Sequence, residues 1–312
     1  MNDHSEREQT KMTRHFNFNR EGFNVNRGDT VYTQTARFDG SARALTEDEL
    51  RTLAPSIFAT DPHESRSEWF RAIPTIEILR GLVNEGFVPV GARQAVAREP
   101  GRAPFTKHLI RLRKLDGVVR KFGDTVVEAL LKNANDGTAA YALMAGLFRI
   151  ICANSLVTKT QTIDEVKVTH SGDVQSKVIE GTFRVLTEAE KALVAPEQWS
   201  QIKLVEDERR AFAKAAHQLR FADADGNTTT AIGSEQLLLP RRVDDTQPNL
   251  WNVFNVVQEN AIKGGLHAVG RDANNRLRQF TSRPIKGIDQ DVKLNKALWV
   301  LAEEMAKLKQ AA

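Results

Sequence analysis

The stretch from Thr125 to Val157, TVVEALLKNANDGTAAYALMAGLFRIICANSLV, is the most apolar part of the chain and constrains its fold more than any other. Thr125–Lys132 is rich in β-branched and aliphatic residues and reads as a strand. Asn133, Ala134, Asn135, Asp136 and Gly137 then break the pattern with turn chemistry. Beyond them Tyr141, Met144, Ala145, Phe148, Ile151 and Cys152 recur at helical spacing. That spacing predicts a helix from Thr138, capped by Asp136 or Thr138 and stopped at Asn154. The expectation is a core spine of strand, polar turn and helix.

The surrounding segments set the class. Thr46 followed by Glu47, Asp48 and Glu49 opens a short helix, with Thr46 as its N-cap. Strand character is expected at 67–73, 87–97 and 105–113, and a helix at 74–86. Within the strand FTKHLIRLR, Phe105, Lys107, Leu109, Arg111 and Arg113 share one face, and Thr106, His108, Ile110 and Leu112 the other. From 174 onward the patterns are mainly helical, strongest at 205–220, 248–263 and 289–309. The fold class is therefore α+β: an antiparallel sheet in the N-terminal half packed against helices, with a mainly helical C-terminal half. Residues 1–40 are expected to form a flexible arm and 41–312 a single α+β domain, with a sub-boundary near 158–173.

Several function classes lack their signatures. The one cysteine, Cys152, leaves no disulfide framework and no cysteine-cluster metal site. The polar N-terminus has no apolar signal segment, and no run is long enough to span a bilayer, which together predict a cytoplasmic protein without membrane contact. The histidines at 63, 108, 170, 217 and 267 have no chelating spacing. Phosphate-loop and dinucleotide fingerprints are absent, so neither cofactor nor metal is expected.

Charge points elsewhere. The net charge is only +4, but it is segregated. Residues 93–121 hold nine Lys/Arg against two acids, and 263–286 hold six against one, whereas 39–68 hold seven acids against three arginines. Two basic, aromatic-bearing extended segments are an electrostatic footprint for nucleic acid. The candidate contacts are Arg93, Phe105, Lys107, Arg111, Arg113 and Lys114 in the first, and Arg276, Arg278, Phe280, Arg283 and Lys286 in the second. Strands lay such residues along a phosphate backbone at period two, with phenylalanines available for base stacking. The plainer reading is that these arginines pair with acids of the helical half.

Four stretches resemble a known family: PTIEILRGLVNEGF with the basic strand FTKHLIRLR, LLKNANDGTAAYALMAGLFRIICANSLV, NLWNVFNVVQENAIKGG and IDQDVKLNKALWVLAEEMA. Over roughly residues 65–308 the chain is similar to the phage- and plasmid-associated family called domain of unknown function 932. The resemblance implies a mobile-element setting and ties no reaction to any residue. The first expectation is thus a non-enzymatic DNA-binding protein of a mobile element, acting in replication, recombination or strand annealing as a homo-oligomer. The second is an enzyme with a polar site at Asn133–Asp136 using Asp136, His170 and Glu128. The third is a host-protein-binding, anti-defence factor.

Overall fold

The computed structural model describes residues 43–67, 73–97, 99, 101–115, 121–149, 154–157, 166–167, 174–271 and 274–311. The expected arm at 1–40, the strand at 67–73 for the most part, His170 and Cys152 lie outside the described residues.

The first helix, α1 (Glu47–Leu53), begins as expected: Thr46 Oγ1 accepts from Glu49 N at 3.2 Å, and Glu49 Oε2 accepts from Thr46 N at 2.8 Å. This reciprocal box satisfies two amide donors that a helix start leaves open. A second helix, α2 (Thr75–Asn84), leads into β1 (Phe87–Gln94), β2 (His108–Lys114), the short β3 (Lys121–Phe122) and β4 (Thr125–Asn133). Then come β5 (Ala142–Arg149), β6 (Asn154–Val157) and β7 (Val166–Lys167). The sheet is antiparallel in the order β1-β2-β4-β5-β6, with β3 on β4 and β7 on β5.

The helix expected from Thr138 is not there. Ala142–Arg149 is a strand, paired along its whole length with Thr125–Lys132. All eight of its residues are buried. A strand covered on both faces carries apolar residues at every position, so its run satisfies the helical period as well as the strand period. The turn between the strands was read correctly, but it closes a β-hairpin. Asp136 caps that turn, its Oδ1 accepting from Thr138 N at 2.9 Å and Thr138 Oγ1 at 2.6 Å.

Helices cover both sheet faces. One face supplies Ala92, Ile110, Leu112, Val127, Ala129, Leu131, Leu143, Ala145 and Leu147 to the main core, where α2 and α3 (Val174–Ala192) pack. The main apolar cluster runs from Leu45 to Ala306 in sequence. The remaining helices are α4 (Val194–Gln201), α5 (Glu206–Phe221), α6 (Leu250–Lys263) and α7 (Ile288–Ala311). Every residue of α6 from Leu250 to Ala261 is buried, so this helix is the axis of the C-terminal half. Trp199 of α4 lies 6.2 Å from Trp251, 5.6 Å from Phe254 and 4.7 Å from Trp299, ring centre to ring centre, and so ties α4, α6 and α7 together. Between α6 and α7 the chain makes a separate two-stranded antiparallel ribbon, β8 (His267–Arg271) and β9 (Leu277–Thr281).

The opposite sheet face carries Leu109, Leu130 and Met144, and these pack on Ile288 and Val292 of α7. The start of the last helix therefore lies over the face that holds the first basic segment. Mixed α+β architecture, sheet first and helices mainly afterwards, is what the sequence led us to expect.

Candidate nucleic-acid interface

The first basic strand begins at His108 and not at Phe105, which lies in a 3-10 turn ahead of it, so Phe105 and Lys107 are outside the strand; from His108 to Arg113 the expected phase is correct. Leu109, Arg111 and Arg113 lie on one face of β2, and His108, Ile110 and Leu112 on the other, as their partners in β4 require. Exposure is a different matter. Arg93, Arg111 and Arg113 are 4%, 2% and 5% exposed. Glu128, on the neighbouring strand, receives Arg111 through both guanidinium arms at 2.6 and 2.7 Å, and Arg113 Nε at 2.9 Å. The Arg111 guanidinium also stacks on Phe148, 3.5 Å from the ring centre. Burial pushes the Glu128 carboxyl up, but the two arginines outweigh it and hold it below its ordinary range. Burial pulls Arg113 down from its usual value, yet a guanidinium starts so high that it stays charged, and the cluster is ionic.

The C-terminal helix supplies the anions for Arg93 and Lys107. Arg93 pairs with Asp291, and Lys107 with Asp289, which Lys132 also approaches at 3.6 Å. Burial raises Asp291 despite Arg93 and the Asn295 amide beside it. Phe105 sets its ring edge-on to His63 at 5.3 Å. Lys114 donates to the Glu85 carbonyl and lies 4.9 and 4.7 Å from the rings of Phe87 and Phe183. Among its described residues the first segment thus forms no basic row on the surface. Arg93, Arg111 and Arg113 are internal cations, and their reading as backbone contacts is corrected. The anions come from β4 and from a helix about 180 residues downstream.

The second segment behaves otherwise. Arg271, Arg276, Arg278, Arg283 and Lys286 are all exposed, on β8–β9 and on the strap that follows it. Lys263, counted with them by sequence, pairs with Glu259 at 2.9 Å. Phe280 is half-buried.

The ribbon is clamped at its base. Gly265 N donates to Ser282 O and Ser282 N to Leu266 O, both at 2.8 Å. Arg220, from the end of α5, donates to the carbonyls of Ala261 and Arg283, each at 2.8 Å. Arg241 reaches Asn260 Oδ1 at 2.8 Å and the Gly264 carbonyl. Gly264 has φ 64° and ψ −148°, a conformation reserved for glycine, and an added Cβ would lie 2.5 Å from Ser282 O. Sequence reasoning passed over Arg220 and Arg241. Nothing in their local pattern distinguishes a clamp from a solvated arginine.

The polar turn has partners the sequence did not suggest. His108, on the core-facing side of β2, bonds Ser56 Oγ through Nδ1 at 3.0 Å and Thr75 Oγ1 through Nε2 at 2.9 Å. Asn133 Nδ2 donates to the same Thr75 hydroxyl at 3.0 Å and to Ile73 O at 3.2 Å. Asn135 Nδ2 donates to Ala59 O at 3.1 Å. Ser56, Thr75 and His108 are fully enclosed, and burial pushes the imidazole down to about 4. The network fastens the β4–β5 hairpin to the 54–75 segment. Asn133 and Asn135 are structural amides here, and Glu128 lies on the other sheet face in its arginine cluster.

Residues 62–299 match the model of the family described as Domain of unknown function (DUF932). The chain belongs to the DUF932 family. Two relatives from Escherichia coli (strain K12), UPF0380 protein YafZ and UPF0380 protein YfjQ, are 43% and 42% identical to it over 263 residues. Each alignment covers 84% of this chain and 92% of the relative. No solved structure matches the chain. The DUF932 match spans the Glu128 cluster, the β8–β9 ribbon, and the His108 network apart from Ser56 and Ala59.

Proposed function

We propose that this DUF932 protein is a non-enzymatic nucleic-acid-binding protein of a mobile element, and that its grip is the β8–β9 ribbon with the strap at 283–286. The observation that carries this reading is the exposure of Arg271, Arg276, Arg278, Arg283 and Lys286 on one clamped projection. Guanidinium and ammonium groups held outward on a fixed backbone can follow a phosphate chain without ordering a loop first. Sequence-independent affinity from phosphate neutralisation is the expected behaviour.

The test is fluorescence anisotropy with a labelled oligonucleotide across a salt series. Affinity falls steeply with salt, each neutralised phosphate adding ~0.7–0.9 to the logarithmic slope. Replacing Arg276, Arg278, Arg283 and Lys286 together by Ala lowers that slope by up to ~3–4. The same variant melts at the wild-type temperature, because these side chains are outside the core. Absence of binding at low salt, or a slope that the fourfold variant leaves unchanged, refutes the reading.

A further inference from the structure

The strand register divides the ribbon into two unlike faces. His267 opposes Thr281, Val269 opposes Gln279, and Arg271 opposes Leu277, and these six share one face. Ala268 opposite Phe280 and Gly270 opposite Arg278 make the other. The second face leans on the body: a Cβ on Gly270 would lie 2.6 Å from the Ala231 methyl and 3.2 Å from the Phe280 ring. The first face is turned to solvent, with Val269 71% and Leu277 68% exposed. His267 is held there by a 2.9 Å bond between Nδ1 and the Thr281 hydroxyl.

Resting on the nucleic-acid reading above, we infer that the ligand is double-stranded DNA, entered by the outward ribbon face in the major groove. Proteins that hold single strands rely on aromatic platforms for the bases. The only Phe, Tyr or Trp between Gly264 and Gly287 is Phe280, and it is on the face turned to the body. The outward face instead alternates apolar and hydrogen-bonding groups on adjacent rungs, Val269 with Gln279 and Arg271 with Leu277. Arg and Gln are side chains that read base edges, and aliphatic groups meet the thymine methyl. A two-stranded ribbon fits a B-form major groove roughly 12 Å wide. The strap cations Arg283 and Lys286, outside the paired strands, are then placed for phosphates at the groove edge. Two large aliphatic side chains on neighbouring rungs of a charged projection have a use in this arrangement, since they contribute nothing to the core.

The experiment compares matched 24-nucleotide probes by competition anisotropy on the full chain: duplex DNA, its single strand, and duplex RNA of the same sequence. Duplex DNA competes about tenfold better than either of the others. A-form RNA closes its major groove to such a ribbon. The double variant Val269→Ser, Leu277→Ser weakens duplex DNA binding at least fivefold and leaves the single strand unchanged. Thermal unfolding at the wild-type midpoint shows that the variant folds. Equal or tighter binding of the single strand or of duplex RNA overturns the groove assignment and leaves the nucleic-acid reading standing. So does a double variant that binds duplex DNA as wild type does. Failure of all three probes at low salt overturns both.

Discussion

Acid should loosen this protein through one buried ring. His108 is fully enclosed, and its two nitrogens bond Ser56 Oγ at 3.0 Å and Thr75 Oγ1 at 2.9 Å. A neutral imidazole donates through one nitrogen and accepts through the other, and two hydroxyls satisfy both roles. A second proton puts a charge where neither direct partner is anionic. Burial dominates and pulls the group down to about 4 from 6.5, although a Thr106 backbone hydrogen bond and the Asp136 charge oppose the effect. Above about pH 6.5 neither the folded nor the unfolded chain holds the extra proton. As pH falls from there, the unfolded chain takes up a proton that the folded chain refuses. Stability therefore declines by up to ~1.4 kcal/mol per pH unit, about 3 kcal/mol in all, and the loss levels off as pH falls below about 4. Urea unfolding of wild type and His108→Gln at pH 7.5, 6.5, 5.5 and 4.5 isolates this term, because the shifted carboxylates are common to both. The variant starts less stable and loses less: the two curves converge on acidification. Parallel curves refute the reasoning. So does a His108 ring resonance in the wild type that titrates near pH 6.5.

Other substitutions follow from the same structure. Glu128→Gln leaves the Arg111 and Arg113 guanidiniums buried without an anion, and about 3–5 kcal/mol of stability should go, read by urea denaturation; a loss below ~1 kcal/mol contradicts the ionic cluster. Gly264→Ala forces a side chain into a glycine-only conformation at ~1–3 kcal/mol, against Ser282 O besides. It should also lower DNA affinity in the anisotropy assay, since it shifts the ribbon without removing a cation; unchanged affinity and melting temperature would show that the clamp is slack. Arg220→Ala removes two donors from the ribbon base, and faster amide hydrogen exchange at Leu266 and Ser282 is the expected outcome; unchanged protection rules out its role.

The sequence alone determined much of the local structure. Thr46 with Glu49 marks the start of α1, and helical periodicity places α5, α6 and α7 to within a few residues. Alternation along FTKHLIRLR assigns the side chains from His108 to Arg113 to their faces, although the strand starts three residues later than the pattern suggests. These features depend on neighbours in the chain, so neighbours suffice to read them. The DUF932 resemblance is equally local, carried by short stretches. Ala142–Arg149 was misread because burial on both faces fills every position up to Phe148 with apolar residues or glycine and erases the period that separates strand from helix. The basic segments posed a harder problem, since they look alike as sequence. Only the tertiary structure separates them. It brings Glu128 and the first turn of α7 onto Arg93, Lys107, Arg111 and Arg113, and it leaves Arg276, Arg278, Arg283 and Lys286 exposed on the ribbon and the strap that follows it. A charge is a property of a residue, but whether it faces an anion or water depends on which distant element folds over it.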